Sequence, residues 1–238
     1  EDESGSMGFR APARFALSDM VAMFLNNKIG DRPALELLDM AAHPENIEAN
    51  TTSIARRTAA NSLIESINYE SSDEYVFIRE VIQNVIDAGG KELDITPRIS
   101  KDKISMTFRD NVGMNIEEVV KFLLVPDSSS KRKEAGAIGK FGQGFFTVLK
   151  ESTVVRVKTS DGKGKTVLLE LVPVRDGELI VDVKVAIEEI EDPLFKGTEI
   201  EWVKNTASPD VESAIVRSKT LSFGCLVSKE DRKSTRLN

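Results

Sequence analysis

The sequence predicts an α/β (α+β) two-layer sandwich, a mixed and mostly antiparallel sheet with its helices on one face. Three observations predict it. The second half of the 238-residue chain alternates as strands over 153–159, 166–172, 178–187 and 198–203, with Asp161-Gly162-Lys163-Gly164 and Asp176-Gly177 turning the chain between the first three. Two earlier strand-like runs, 92–99 and 104–108, are joined by a Ser-Lys-Asp-Lys turn. Ahead of and between these runs, apolar residues recur at helical spacing.

The elements follow in order. Residues 1–7 are acidic and Ser/Gly-rich and read as a tag remnant, not a secretion signal. From Pro12 to about Ile67 the pattern is helical and short of strands. One run passes through Phe15, Leu17, Met20, Val21 and Phe24, a second through Leu35, Leu37, Leu38 and Met40, and a third covers 54–67. His43-Pro44 and the Asn/Thr-rich stretch 46–53 break them. A stronger helix spans 74–88 and ends at Gly89-Gly90. After the first two strands, Asn115 opens a short helix over 117–124. A polar, Ser/Lys/Gly-rich segment covers 126–140, and an apolar helix 143–150. A last helix is expected over 209–221 and a short strand at 225–227. The tail 232–238 fits no pattern and reads as non-native, so the natural chain is expected to continue past it. The expected organisation is therefore a helical extension 1–65, a domain 66–231 and the tail.

Composition narrows the chemistry. A net charge of −7 argues against an indiscriminate nucleic-acid binder. No apolar run approaches the roughly 20 residues of a membrane span. One cysteine, Cys225, and one histidine, His43, exclude an intrachain disulfide and a His/Cys zinc site, and make a reducing cytosol the default compartment. A metal would have to be a hard cation on oxygen ligands.

Four segments carry candidate chemistry. In the helix 74–88, Ile78, Val81, Ile82, Val85 and Ile86 form an apolar stripe, while Glu80, Asn84 and Asp87 form a polar one. That polar stripe is either a solvated face or a place where Asn84 holds a cation while Glu80 polarises a water. The second segment is Phe108-Arg109-Asp110-Asn111-Val112-Gly113-Met114. A strand-end carboxylate accepts from an exocyclic amine, and a glycine lets a flat ring approach the backbone, although Asp and Gly also suit an ordinary turn. The third, Gly136-Ala-Ile-Gly139-Lys-Phe-Gly142-Gln-Gly144-Phe145-Phe, has four glycines in nine residues before an apolar helix. It reads as a phosphate cradle or as a hinge, and is neither a Walker loop nor a Rossmann fingerprint. The fourth, Lys196-Gly197-Thr198, begins a strand.

In this order, Glu80-x-x-x-Asn84-x-x-Asp87-Ala88, Asp110…Gly113-Met114, the glycine loop and Gly197-Thr198 resemble the GHKL ATPase superfamily. Ile138-Gly-Lys-Phe-Gly-Gln-Gly-Phe-Phe and Ser128-Ser-Ser-Lys131 are most similar to its ninety-kilodalton heat-shock chaperone branch. The resemblance covers about 66–227 and implies the Bergerat ATP-binding fold. It further implies Glu80 as general base, Asn84 as the Mg²⁺ ligand, and Asp87 and Ala88 lining the site. Asp110 would accept from the adenine amine, Gly113 and Met114 would form the wall beside the ring, and Thr198 would support Asp110. Gly139, Gly142 and Gly144 with Phe145 would present amides to the phosphates, 126–140 would be a lid, and Lys131 a phosphate contact. Two features depart from that pattern. Gly113 follows Asp110 by three residues, where the family places glycines two and four residues on, and about 65 residues precede the Glu80 helix.

The implied activity is slow, Mg²⁺-dependent ATP hydrolysis driving lid closure, with ATP or ADP bound, protein clients, and a homodimer in the full-length protein. The alternatives are an ATPase module of a MORC, topoisomerase or MutL-like DNA machine, and a module that binds nucleotide without cutting it. A histidine kinase is disfavoured because His43 lacks a phospho-acceptor context.

Overall fold

The computed structural model describes residues 13–25, 32–43, 64–65, 67–68, 76–124 and 144–205. Its strands are β1 (Ala13–Ala16), β2 (Leu93–Ser100), β3 (Lys103–Asp110), β4 (Val154–Ser160), β5 (Lys165–Asp176), β6 (Leu179–Glu191) and β7 (Gly197–Asn205). They form one seven-stranded sheet in the order β1-β6-β5-β4-β7-β3-β2. Every pairing is antiparallel, so the sheet is wholly rather than mostly antiparallel among the described residues.

The helices α1 (Leu17–Leu25), α2 (Ala34–Ala42), α3 (Val76–Asp87) and α4 (Ile116–Val119) pack into one core with the sheet. The α+β sandwich expected from the sequence is therefore present. Helix α3 buries Phe77, Ile78, Val81, Ile82 and Val85, four residues of the predicted stripe plus one aromatic, while Ile86 is partly buried against the core. Phe77 stacks on Trp202 with centroids 4.8 Å apart and meets Phe108 edge-on at 6.0 Å. The Trp202 indole N–H donates to the Val148 carbonyl at 2.9 Å, which satisfies the one polar atom that its burial would strand.

Three local expectations change. Residues 13–16 form an edge strand on β6, with Ala13 opposite Ile187, where helix was expected. Four residues are too few for periodicity to separate the two states, and the partner lies more than 160 residues away. Asp182 of that partner then accepts from the Ser18 backbone N–H and hydroxyl at 3.3 and 2.6 Å, fixing the first turn of α1. Second, the 117–124 helix is present as α4 followed by a π-helical turn, Val120–Leu124. Asn115 and Glu118 close a reciprocal capping box at its start. Third, the apolar segment after Gln143 is a 3₁₀ helix, Gly144–Leu149, with Phe145, Phe146, Val148 and Leu149 all buried. A six-residue piece held on every side by core contacts tolerates the tighter winding.

His43 is exposed at the C-terminal end of α2, as expected of a helix-end residue. Most of the helix expected over 54–67, the segment 126–140, the helix 209–221, the strand at 225–227 with Cys225, and both termini lie outside the described residues.

Candidate functional site

The strand order sets the site. Because β7 lies between β3 and β4, Thr198 stands opposite Asp110 on one side and Thr159 on the other. Three strand ends therefore converge on the residues that follow Asp110.

Asp110 is the last residue of β3 and is almost fully buried. Its Oδ1 accepts from the Val112 backbone N–H at 2.7 Å. Burial pushes its pKa from 3.8 up to about 6, against the opposing pull of that hydrogen bond. A buried carboxyl whose outer oxygen meets no donor among the described residues is suited to accept a hydrogen bond from a ligand.

Two glycines make the close approaches. Gly113 lies against the end of β4, and a Cβ there would overlap the Ser160 carbonyl oxygen. Gly197 has a φ of +96°, and a Cβ on it would overlap the Asp110 carbonyl oxygen. The Ser160 hydroxyl donates to the Lys165 carbonyl at 2.6 Å and accepts from the Gly162 N–H at 3.2 Å, which holds the β4–β5 turn under Gly113.

Two buried threonines complete the support. The Thr198 hydroxyl donates to the Val112 carbonyl at 2.6 Å, and the Met114 N–H donates to Thr159 Oγ1 at 2.9 Å. The two hydroxyl oxygens are 2.8 Å apart. Thr198 has one hydroxyl hydrogen and spends it on Val112, so Thr159 is the donor in that contact. Thr198 and Asp110 are thus linked through Val112, whose carbonyl accepts from the first and whose N–H donates to the second.

The segment that follows α3 meets the same turn, with Gly90 set against the Val112 side chain. The Lys91 N–H, just past the helix, donates to Asn111 Oδ1 at 3.2 Å. Glu80, Asn84 and Asp87 are half-buried, not a fully solvated face. Glu80 pairs with Arg79 at 3.4 Å, and Asp87 accepts from Gln83 at 3.1 Å. Ala88 is exposed in the first turn after the helix. Met114 is half-buried against the core and leads into the capped helix α4. Gly144 opens the 3₁₀ helix, while the Phe145 ring belongs to the core and meets Phe146 edge-on at 6.0 Å, which leaves its backbone alone for a ligand. Lys131, Gly139 and Gly142 lie outside the described residues.

Thr159 and Ser160 were not singled out from the sequence. The usable signal was a Thr-Ser pair closing a strand just before Asp161-Gly162, and it acquires meaning only once β4 is registered against β7.

A broad concavity of about 740 Å³ lies elsewhere, on the sheet face opposite the helices, lined by Arg14, Arg98, Arg109, Arg156, Glu170 and Glu201 among others. Its charges pair across strands, Arg156 with Glu170 at 2.9 Å and Glu201 at 3.0 Å, and Arg109 with Glu199 at 3.7 Å. It contains neither Asp110 nor any residue of α3. Among the described residues no group of three or more His, Cys, Asp or Glu side chains is placed to hold a metal ion, and no helix is long and apolar enough to cross a membrane.

No family model matches the chain. Part of it is similar to curated proteins named chaperone protein HtpG. The Helicobacter pylori protein is 28% identical over 162 residues, which cover 51% of this chain and 26% of that protein. The Alcanivorax borkumensis protein is 31% identical over 136 residues, 40% of this chain and 22% of that one. The Salmonella paratyphi A protein is 31% identical over 116 residues, 37% of this chain and 19% of that one. The chain thus spans about a quarter or less of the length of these relatives. Its partial likeness is to HtpG-type, ninety-kilodalton heat-shock-like chaperones.

Proposed function

We propose that this chain carries a GHKL-type nucleotide-binding domain that takes up ATP and ADP with Mg²⁺ and hydrolyses ATP slowly, as the switch of a heat-shock-type chaperone. The observation that carries the reading is the buried Asp110 carboxyl at a strand end, next to a turn that two glycine contacts and two threonine hydroxyls hold in place. A planar ring laid against Gly113 and Met114 would offer its exocyclic amine to Asp110. The partial similarity to HtpG chaperones supports the same assignment.

The residues of α3 fit the phosphate end. Asn84 lies one helical turn from Glu80 on the same half-buried face, and its amide oxygen is the hard, neutral donor suited to a Mg²⁺ that arrives on phosphates. When bound, that ion neutralises charge on the phosphates. Glu80 is the general base that orients and deprotonates the attacking water, and Asp87 and Ala88 border the ring pocket at the helix end. Gly139, Gly142 and Gly144 would present backbone amides to the phosphates, with Lys131 as a cationic contact and 126–140 as the lid. Phosphoryl transfer needs positioning and charge neutralisation above all, which is what these residues would supply. Protein clients, a homodimer in the longer protein and a cytoplasmic setting belong to the same proposal.

Phosphate release from Mg-ATP by the wild type and Glu80→Ala, with binding measured in parallel, tests the role of Glu80. The expected result is retained binding and lost release in the variant. Release that continues at the wild-type rate in Glu80→Ala contradicts it, and wild-type binding without any release assigns a nucleotide-holding module instead.

A further inference from the structure

We propose that Thr159 is a positioning residue for adenine, the donor and acceptor that joins Met114 to Thr198 and so holds both backbone groups flanking Gly113. The inference rests on the nucleotide reading of the Asp110 pocket and adds to it a residue on β4 that contacts no ligand.

Gly113 is flanked by the Val112 carbonyl and the Met114 N–H. The first ends on the Thr198 hydroxyl at 2.6 Å and the second on Thr159 Oγ1 at 2.9 Å. The 2.8 Å contact between the two hydroxyls closes the circuit, and its direction is set because Thr198 has no second hydrogen to give. Thr159 and Thr198 are both buried, which raises the cost of leaving either hydroxyl without its partner. The same residue reaches Asp110, since the Val112 N–H, in the preceding peptide, donates to Oδ1. A displaced turn therefore displaces the carboxyl, and the surface that would receive the purine face moves with the atom that would receive its amine. Ser160, the next residue on β4, limits the movement from below through its carbonyl against Gly113. Replacing Thr159 by valine keeps the shape and removes one acceptor and one donor, which leaves the Met114 N–H without its acceptor and the Thr198 oxygen without its donor.

The consequence is selective. A loosened turn weakens recognition of the base and leaves the phosphate end untouched. The test is calorimetric titration of the full chain with Mg-ADP and with the Mg complex of purine riboside 5′-diphosphate, which lacks the 6-amine, alongside amide hydrogen exchange at Met114. Wild type is expected to prefer ADP by about tenfold or more, which is about 1.4 kcal/mol. Thr159→Val is expected to lose most of that preference, with the purine riboside diphosphate bound within about twofold of wild type and the Met114 amide exchanging at least about tenfold faster. Thr159→Ser, which keeps the hydroxyl, is expected to restore both. A general loss of folding would weaken the two ligands together. Should Thr159→Val fail to fold, Thr159→Cys keeps a side chain of similar size with a much weaker donor and acceptor, and the same two readings apply. An unchanged ADP preference in a folded Thr159→Val or Thr159→Cys overturns the inference while the nucleotide reading stands. Wild-type protein that binds neither ligand, or both equally, overturns the adenine reading and the inference with it.

Discussion

The Thr198 hydroxyl donates to the Val112 carbonyl at 2.6 Å across the gap between β7 and the residues that follow β3. That bond, with Gly197 set against the Asp110 carbonyl, makes the start of β7 a brace for the end of β3. A Gly-Thr pair at a strand start is thereby tied to a carboxylate that precedes it by 88 positions.

Gly113 has no room for a side chain, because the atoms it would meet are backbone atoms of a hairpin that cannot swing aside. Gly113→Ala is expected to abolish ADP binding by calorimetry and to lower the melting temperature by several degrees. Wild-type affinity in that variant would show that the turn sits further from β4 than described.

Asp110 couples pH to both stability and binding. Below 3.8 its carboxyl is neutral in the folded and unfolded chain, so its burial carries no charge penalty there. As pH rises through about 6 the folded carboxyl must ionise while buried, so the stability present below 3.8 is lost across that interval. The difference between 3.8 and about 6 sets an upper bound of about 3 kcal/mol, which the solvent that still reaches the carboxyl reduces. Chemical denaturation between pH 4 and 7 is expected to show this decline, and Asp110→Asn to remove it. Affinity for ADP should run the other way, rising through about pH 6, because the ionised carboxylate is the better acceptor for the ring amine.

Phe77 sits between Trp202 and Phe108 and ties α3 to the sheet beneath the proposed catalytic face. Phe77→Ala is expected to cost roughly 3–5 kcal/mol in denaturant unfolding. Arg156, whose side chain is 51% exposed between Glu170 and Glu201, is expected to cost less than about 1 kcal/mol as Arg156→Ala and to leave nucleotide binding unchanged. A large loss at Arg156 would assign the open sheet face a weight that its exposure argues against.

What was legible in the sequence was the periodicity and the punctuation. Alternation and turn glycines marked six strands, β2 to β7, and the stripe from Ile78 to Val85 marked the buried side of α3. Asp110, Gly113, Met114 and Thr198 were legible as an ordered set, and the strand order brings them to one place. The strand at 13–16 was not legible, since its identity comes from pairing with a partner far along the chain. Thr159 was hidden for a related reason. A buried threonine within an alternating strand looks like any β-branched residue until the neighbouring strand is known, and that neighbour, β7, enters from beyond two intervening strands in sequence.

The most direct test of the central claim is calorimetric titration of Mg-ADP into the wild-type chain and into Asp110→Asn at pH 7.5. The account predicts saturable binding to the wild type and a loss of at least about tenfold in affinity for Asp110→Asn, with the variant still folded by circular dichroism. Binding of equal strength in both proteins would contradict it, because the buried carboxyl at the end of β3 would then not be what recognises the base.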